Sequence, residues 1–90
     1  MGIDGYTFDS IPIQVKQSDG VGRSVVHNFE TAIRRVKKDE GIIVAFSFSK
    51  GAYEEVARVK LSENIGIKLV TIKEMLKGQD IEDLMEFKGH

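Results

Sequence analysis

Gly2-Ile3-Asp4-Gly5-Tyr6-Thr7-Phe8, a polar break at Asp9-Ser10, and Ile11-Pro12-Ile13-Gln14-Val15-Lys16 form the stretch whose reading decides the fold. Two apolar-rich runs around a short polar break read as a β-hairpin. Side chains alternate across a strand, so Gln14 and Lys16 share one face while Ile11, Ile13 and Val15 fill the other. Register then decides where Asp4 falls. A three-residue loop at Asp9 to Ile11 pairs Asp4 with Lys16 and brings the acid to the Gln14–Lys16 face. A two-residue turn at Asp9-Ser10 pairs Asp4 with Val15 and sends the acid to the opposite face. The expectation is the odd loop or a bulge.

Downstream, Gln17 to Gly22 is a polar, glycine-containing loop. Val25, Val26, Phe29, Ala32, Ile33 and Val36 recur at three- and four-residue steps, which predicts a helix over about 23–38 with Gly41 as its stop. Ile42 to Phe48 is apolar without clean alternation, as a strand covered on both faces would be. Ser49 caps a second helix over about 51–61, closed by Asn64-Ile65-Gly66, with Ala52, Val56 and Val59 turned inward. Ile67 to Val70 is a further strand. Thr71-Ile72-Lys73-Glu74 has the form of a capping box, opening a short helix that Gly78 ends. The order strand, strand, helix, strand, helix, strand, helix implies an antiparallel hairpin joined to parallel crossovers, hence a mixed sheet between helices.

Ninety residues, 41% of them hydrophobic, suffice for one modest core and not for two. No cysteine is present, which removes disulfides, thiolate metal sites and cysteine nucleophiles. The longest apolar run, Gly41 to Phe48, is far too short to span a membrane. With no basic-then-apolar opening segment either, cytoplasmic residence is the expectation. The net charge of −1 does not mark a protein that coats nucleic acid. Charge is segregated instead: Arg34, Arg35, Lys37 and Lys38 cluster, while Glu82, Asp83 and Glu86 make residues 79–90 an acidic tail. Gly20-x-Gly22 lacks the residues of a phosphate loop and reads as a helix entry. Glu30 and His27 read as helix-surface residues, and Ser47 and Ser49 have no histidine partner for nucleophilic work.

Gly-Ile-Asp-Gly followed by Gln14-x-Lys16, with the helix–strand–helix order behind it, resembles the active-site core of the PD-(D/E)xK nuclease superfamily, in its Mrr-type restriction endonuclease branch. The resemblance extends from about Gly2 to Leu76, and Ser47 to Ala52 resembles the junction after that family's central strand. It implies an α/β, restriction endonuclease-like three-layer sandwich over residues 1–78, without the usual opening helix. It also implies hydrolysis of DNA phosphodiester bonds with Mg2+, for which Mn2+ can substitute. By the same resemblance Asp4, Gln14 and Lys16 are catalytic, with Asp4, Gln14 and the Val15 carbonyl as metal ligands. Ser18, Arg23, Arg34 and Arg35 are the expected DNA contacts. Gln14 departs from the more common acid and lowers the site's negative charge. The partners implied are DNA, a second copy of the chain, and other domains of a longer restriction-modification protein such as a methyltransferase. The alternative is a catalytically silent DNA-binding or self-association module of the same fold.

Overall fold

The structure, a computed structural model, describes residues 2–78. The expected acidic tail, residues 79–90, lies outside them. Two strands open the fold, β1 (Gly5–Tyr6) and β2 (Pro12–Lys16), followed by α1 (Arg23–Arg35), β3 (Glu40–Ala45), α2 (Lys50–Glu63), β4 (Gly66–Thr71) and α3 (Ile72–Gly78). The sheet order is β1-β2-β3-β4, with β1 antiparallel to β2 and β2, β3 and β4 mutually parallel. This is the mixed sheet with an antiparallel opening hairpin that the element order implied.

β3 runs through the centre and is buried on both faces. Ile43 points into a core with Val26, Phe29 and Ile33 of α1, Ala52 and Val59 of α2, and Ile65 and Ile67. Val44 joins Ile13 on the other face, where Val15, Ile42, Val70, Ile72 and Met75 pack around them. Helices α1 and α2 therefore cover one face and α3 the other, a three-layer α/β arrangement. Gly41 lets α1 sit close to β3. A Cβ there would stand 2.5 Å from Ile33 Cδ1 and 2.6 Å from Phe29 Cε2.

Local chemistry explains where the elements stop. Helix α1 ends three residues short of the expected Lys38 because Lys37 takes the left-handed conformation, φ 61°. Lys37 N–H donates to the Arg34 carbonyl and Lys38 N–H to that of Ile33, the paired bonds of a Schellman ending. The stop thus falls well before Gly41, which is spent on helix packing instead. The Ser49 hydroxyl accepts from Ala52 N–H at 3.3 Å, and Asn64 ends α2 at φ 57°. The capping box closes in both directions, Thr71 N–H to Glu74 Oε1 at 2.8 Å and Glu74 N–H to Thr71 Oγ1 at 3.1 Å. Strand β3 ends at Ala45, earlier than expected, because the chain beyond it pairs with the 18–21 loop. Phe46 N–H donates to the Ser18 carbonyl, and Val21 N–H to that of Ser47.

Glu30 and Glu55 correct the surface reading of Glu30. Both lie buried in the α1–α2 seam, 5% and 3% exposed. Arg34 bonds Glu30 at 3.0 Å and Glu63 at 2.8 Å, while Arg58 and Arg23 bond Glu55. The seam is held by charge-assisted hydrogen bonds as well as by apolar burial. The hydrogen bond from Arg58 is the largest cause holding the Glu55 carboxyl below its ordinary 4.5; the charges of Arg58 and Arg23 add to it and burial opposes it. Among the described residues no helix is long and apolar enough to cross a membrane.

Two outcomes follow from this packing. Gly41→Ala should lower stability by about 1–3 kcal/mol, read by chemical denaturation, because Phe29 and Ile33 must move for the new methyl. Glu55→Gln should cost about 1–3 kcal/mol at neutral pH, since Arg58 loses its charged acceptor. A depressed folded value contributes stability that is fully present above about pH 4.5 and lost as pH falls through the folded value. The gap between wild type and Glu55→Gln should therefore narrow on acidification in a denaturation series. A gap unchanged by acid would show that the carboxylate charge does not hold the seam.

Candidate active site

The hairpin loop is odd, as required to bring the acid toward Gln14 and Lys16, but it is built one residue earlier than expected. Thr7 N–H donates to the Ile11 carbonyl at 2.9 Å, leaving Phe8, Asp9 and Ser10 as the loop. Ser10 takes φ 66°, the left-handed third residue of such a loop. The Thr7 hydroxyl accepts from the N–H groups of Asp9 and Ile11 and braces the turn. Tyr6 consequently faces Pro12 and Gly5 faces Ile13.

The ladder changes at Asp4. Its N–H donates at 2.7 Å to the carbonyl of Ile13, the residue Gly5 already opposes. Two residues facing one is the feature of a β-bulge, a device that re-aims a side chain. The Asp4 carboxylate is turned across the edge of β2, and its Oδ2 accepts from Val15 N–H at 2.8 Å. Val15 is the residue between Gln14 and Lys16. The N–H and C=O of one strand residue point to the same side, so the Val15 carbonyl opens toward the edge that Asp4 occupies. Asp4 Oδ1 has no hydrogen bond among the described residues.

Gln14 and Lys16 line a recess of about 340 Å³ under α1, together with Gly2, Val25, Asn28, Thr31, Ala32 and Arg35. Asp4 lines an adjoining recess of about 490 Å³ that shares Gly2, Ala32 and Arg35. Lys16 is the last residue of β2, level with Ala45 at the end of β3, which in turn is level with Thr71 at the end of β4. The site thus lies at the carboxyl ends of the parallel strands, where open α/β sheets offer their clefts.

One atom in this site is chemically unfinished. Gln14 Oε1 is buried and has no hydrogen-bond partner among the described residues. An unpaired buried carbonyl oxygen is costly, and a cation or a donor relieves it. Gln14 Oε1, Asp4 Oδ1 and the Val15 carbonyl are hard oxygen donors, the kind that suits magnesium or manganese. The residues present fit a divalent cation.

The Mrr_cat family model, described as restriction endonuclease, matches residues 1–78. The chain belongs to the Mrr-type restriction endonuclease family. No curated protein and no solved structure matches it. Membership supports a nuclease-type domain on a restriction endonuclease-like α/β fold; the family implies divalent-metal dependence in general and DNA as substrate.

The expected DNA contacts are scattered. Arg35 lines both recesses. Ser18 is exposed on the loop after β2, its carbonyl bonded by Phe46 N–H. Arg23 is paired with Glu54 and Glu55, and Arg34 with Glu30 and Glu63. His27, Glu30 and Glu55 also bring potential ligand atoms within 4.8 Å of one another. Arg34 and Arg58 already occupy both carboxylates, so this cluster is a neutralised ion-pair seam and lies apart from the hairpin. Asn28 and Thr31, absent from the sequence-based expectation, join Gln14 and Lys16 in one recess. Their three-residue spacing was visible, but polar residues on a helix carry no sign of what they face.

In Asp4→Ala the Val15 amide should exchange with solvent about tenfold faster, because its acceptor is lost. Hydrogen exchange followed by NMR reads this directly, and unchanged protection at Val15 would place the carboxylate elsewhere.

Proposed function

We propose that this domain is a metal-dependent DNA endonuclease whose site is Asp4, Gln14, the Val15 carbonyl and Lys16. The observation that carries the reading is the hydrogen bond from Val15 N–H to Asp4, which holds that carboxylate against the backbone of the residue between Gln14 and Lys16. Asp4 Oδ1, Gln14 Oε1 and the Val15 carbonyl would hold Mg2+, with Mn2+ as a substitute. When bound, the ion polarises the phosphodiester and lowers the pKa of a bound water.

The chain's own residues do the rest. Asp4 keeps its orientation because Oδ2 is held by the backbone, so the carboxylate is fixed without a rotamer search. Lys16 supplies a compact positive charge for the phosphate oxygens as the attacking water oxygen bonds phosphorus and the bond to the leaving sugar oxygen breaks. Its half-buried position strengthens that charge relative to one in open water. Gln14 brings an oxygen donor without the negative charge of a second acid. Weak ion affinity, saturated only at high Mg2+, is the consequence. The same reading places the domain in the cytoplasm, as part of a restriction-modification protein acting on DNA.

Two measurements test it together. Nicking of supercoiled plasmid should need Mg2+ or Mn2+, and Lys16→Ala should slow it about 100- to 1,000-fold. Mn2+ titration of the isotope-labelled domain should broaden amides around Asp4, Gln14 and Lys16, and Asp4→Asn should abolish that broadening. Salt-sensitive DNA binding with neither cleavage nor local broadening would identify the domain as a silent binding module of the same fold.

A further inference from the structure

Four arginines lie on the helices α1 and α2 next to the site, and three of them are spoken for. Arg23, Arg34 and Arg58 all pair with carboxylates in or beside the α1–α2 seam. Arg35 has no ion pair among the described residues, and it lines the recess of Gln14 and Lys16 and also that of Asp4. The partition between the recesses is thin. Gly2 lies so close to α1 that a Cβ on it would stand 3.2 Å from Ala32 Cβ. Arg35 is one turn beyond Ala32, beside this saddle.

Beside Arg35 the exposed part of that helix face is polar and uncharged, and Val25 and Ala32 lie beneath it. Asn28, Thr31 and Arg35 fall at i, i+3 and i+7, one stripe of α1, on the opposite side of the buried Val26–Phe29–Ile33 stripe from Glu30 and Arg34. The recess they share with Gln14 and Lys16 is lined by two cations, Lys16 and Arg35, by the neutral polar Gln14, Asn28 and Thr31, and by Gly2, Val25 and Ala32, with no carboxylate. Thr31 gives its hydroxyl proton to the His27 carbonyl at 3.3 Å, which leaves its oxygen as an acceptor. The Asn28 amide makes no hydrogen bond among the described residues. A chain with a net charge of −1 thus presents a locally positive, carboxylate-free wall opposite its hairpin site.

The geometry points to this stripe as the wall that grips the sugar-phosphate backbone of the cut strand, with Arg35 bound to the phosphate at the junction of the two recesses and Asn28 and Thr31 making neutral contacts beside it. This rests on the reading of the domain as one that acts on DNA. The ligand chemistry is phosphodiester oxygen, recognised by charge and a guanidinium fork, without base contact. Sequence selectivity is accordingly not carried by this wall. Arg35 touches substrate in this arrangement and holds it against Lys16, while Lys37 and Lys38 lie beyond the helix end.

Binding of a short fluorescent DNA duplex, measured without divalent metal across a salt series, separates the possibilities. Arg35→Ala should weaken binding about tenfold at low salt and lower the slope of log affinity against log salt by about one. Arg35→Lys should keep the slope and lose part of the affinity, since a lysine carries the charge without the fork. The double variant Asn28→Ala/Thr31→Val should weaken binding with the slope unchanged, and Lys60→Ala, an equal charge loss on the far end of α2, should change neither. If Arg35→Ala behaves like Lys60→Ala while the wild type binds DNA and cuts it, the wall is wrong and the nuclease reading stands. If the wild type neither binds nor cuts DNA, both fall.

Discussion

The close approach of α1 to β3 at Gly41 is the constraint on which the rest of the molecule depends. Phe29 and Ile33 occupy the space that any side chain at Gly41 would need, and with Val26 they are fully buried. Burial of side chains of this size stabilises by about 1.5–3 kcal/mol each. Once that stripe is seated, the rest of the helix surface is oriented. Glu30, on one flank, is buried in the seam with α2. Val25 and Ala32, on the other flank, line the recess of Gln14 and Lys16, with the exposed Asn28, Thr31 and Arg35 beside them.

Charge follows from the same geometry. The two buried carboxylates of the seam, Glu30 and Glu55, are matched by Arg23, Arg34 and Arg58, so the seam is internally balanced. What is left over is Lys16 and Arg35 at one recess and the carboxylate of Asp4 at the adjoining one, which Arg35 also lines. A near-neutral protein can in this way keep local charge of both signs side by side. Asp4 is held to the Val15 backbone, so the negative charge stays at the edge instead of pairing with either cation.

Several features of this arrangement were legible in the residues. The Thr71–Glu74 capping box closes as its spelling says, and Ser49 and Asn64 bound α2 as their types suggest. These are local signals, made by residues a few positions apart. The parity argument at the hairpin was also sound, since only an odd loop or a bulge turns Asp4 toward the Gln14–Lys16 edge. The loop proved to be Phe8–Ser10 instead of Asp9–Ile11, because Thr7 braces the turn with its hydroxyl and Ser10 accepts a left-handed backbone. Lys37 did the same at the end of α1, where glycine was the expected residue. Neither serine nor lysine is spelled as a left-handed position, so both were misplaced by a residue or more.

Sequence by itself determined the element order, the apolar faces, and the shared strand face of Gln14 and Lys16, since each depends on spacing along one short segment. Tertiary structure alone decided that Glu30 is buried, that three arginines are consumed in the seam, and that Arg35, Asn28 and Thr31 line the recess of Gln14 and Lys16. Those outcomes depend on which stripe of α1 meets which neighbour. A helix carries all its stripes in one sequence, but only packing against β3 and α2 selects the one that turns to the cleft.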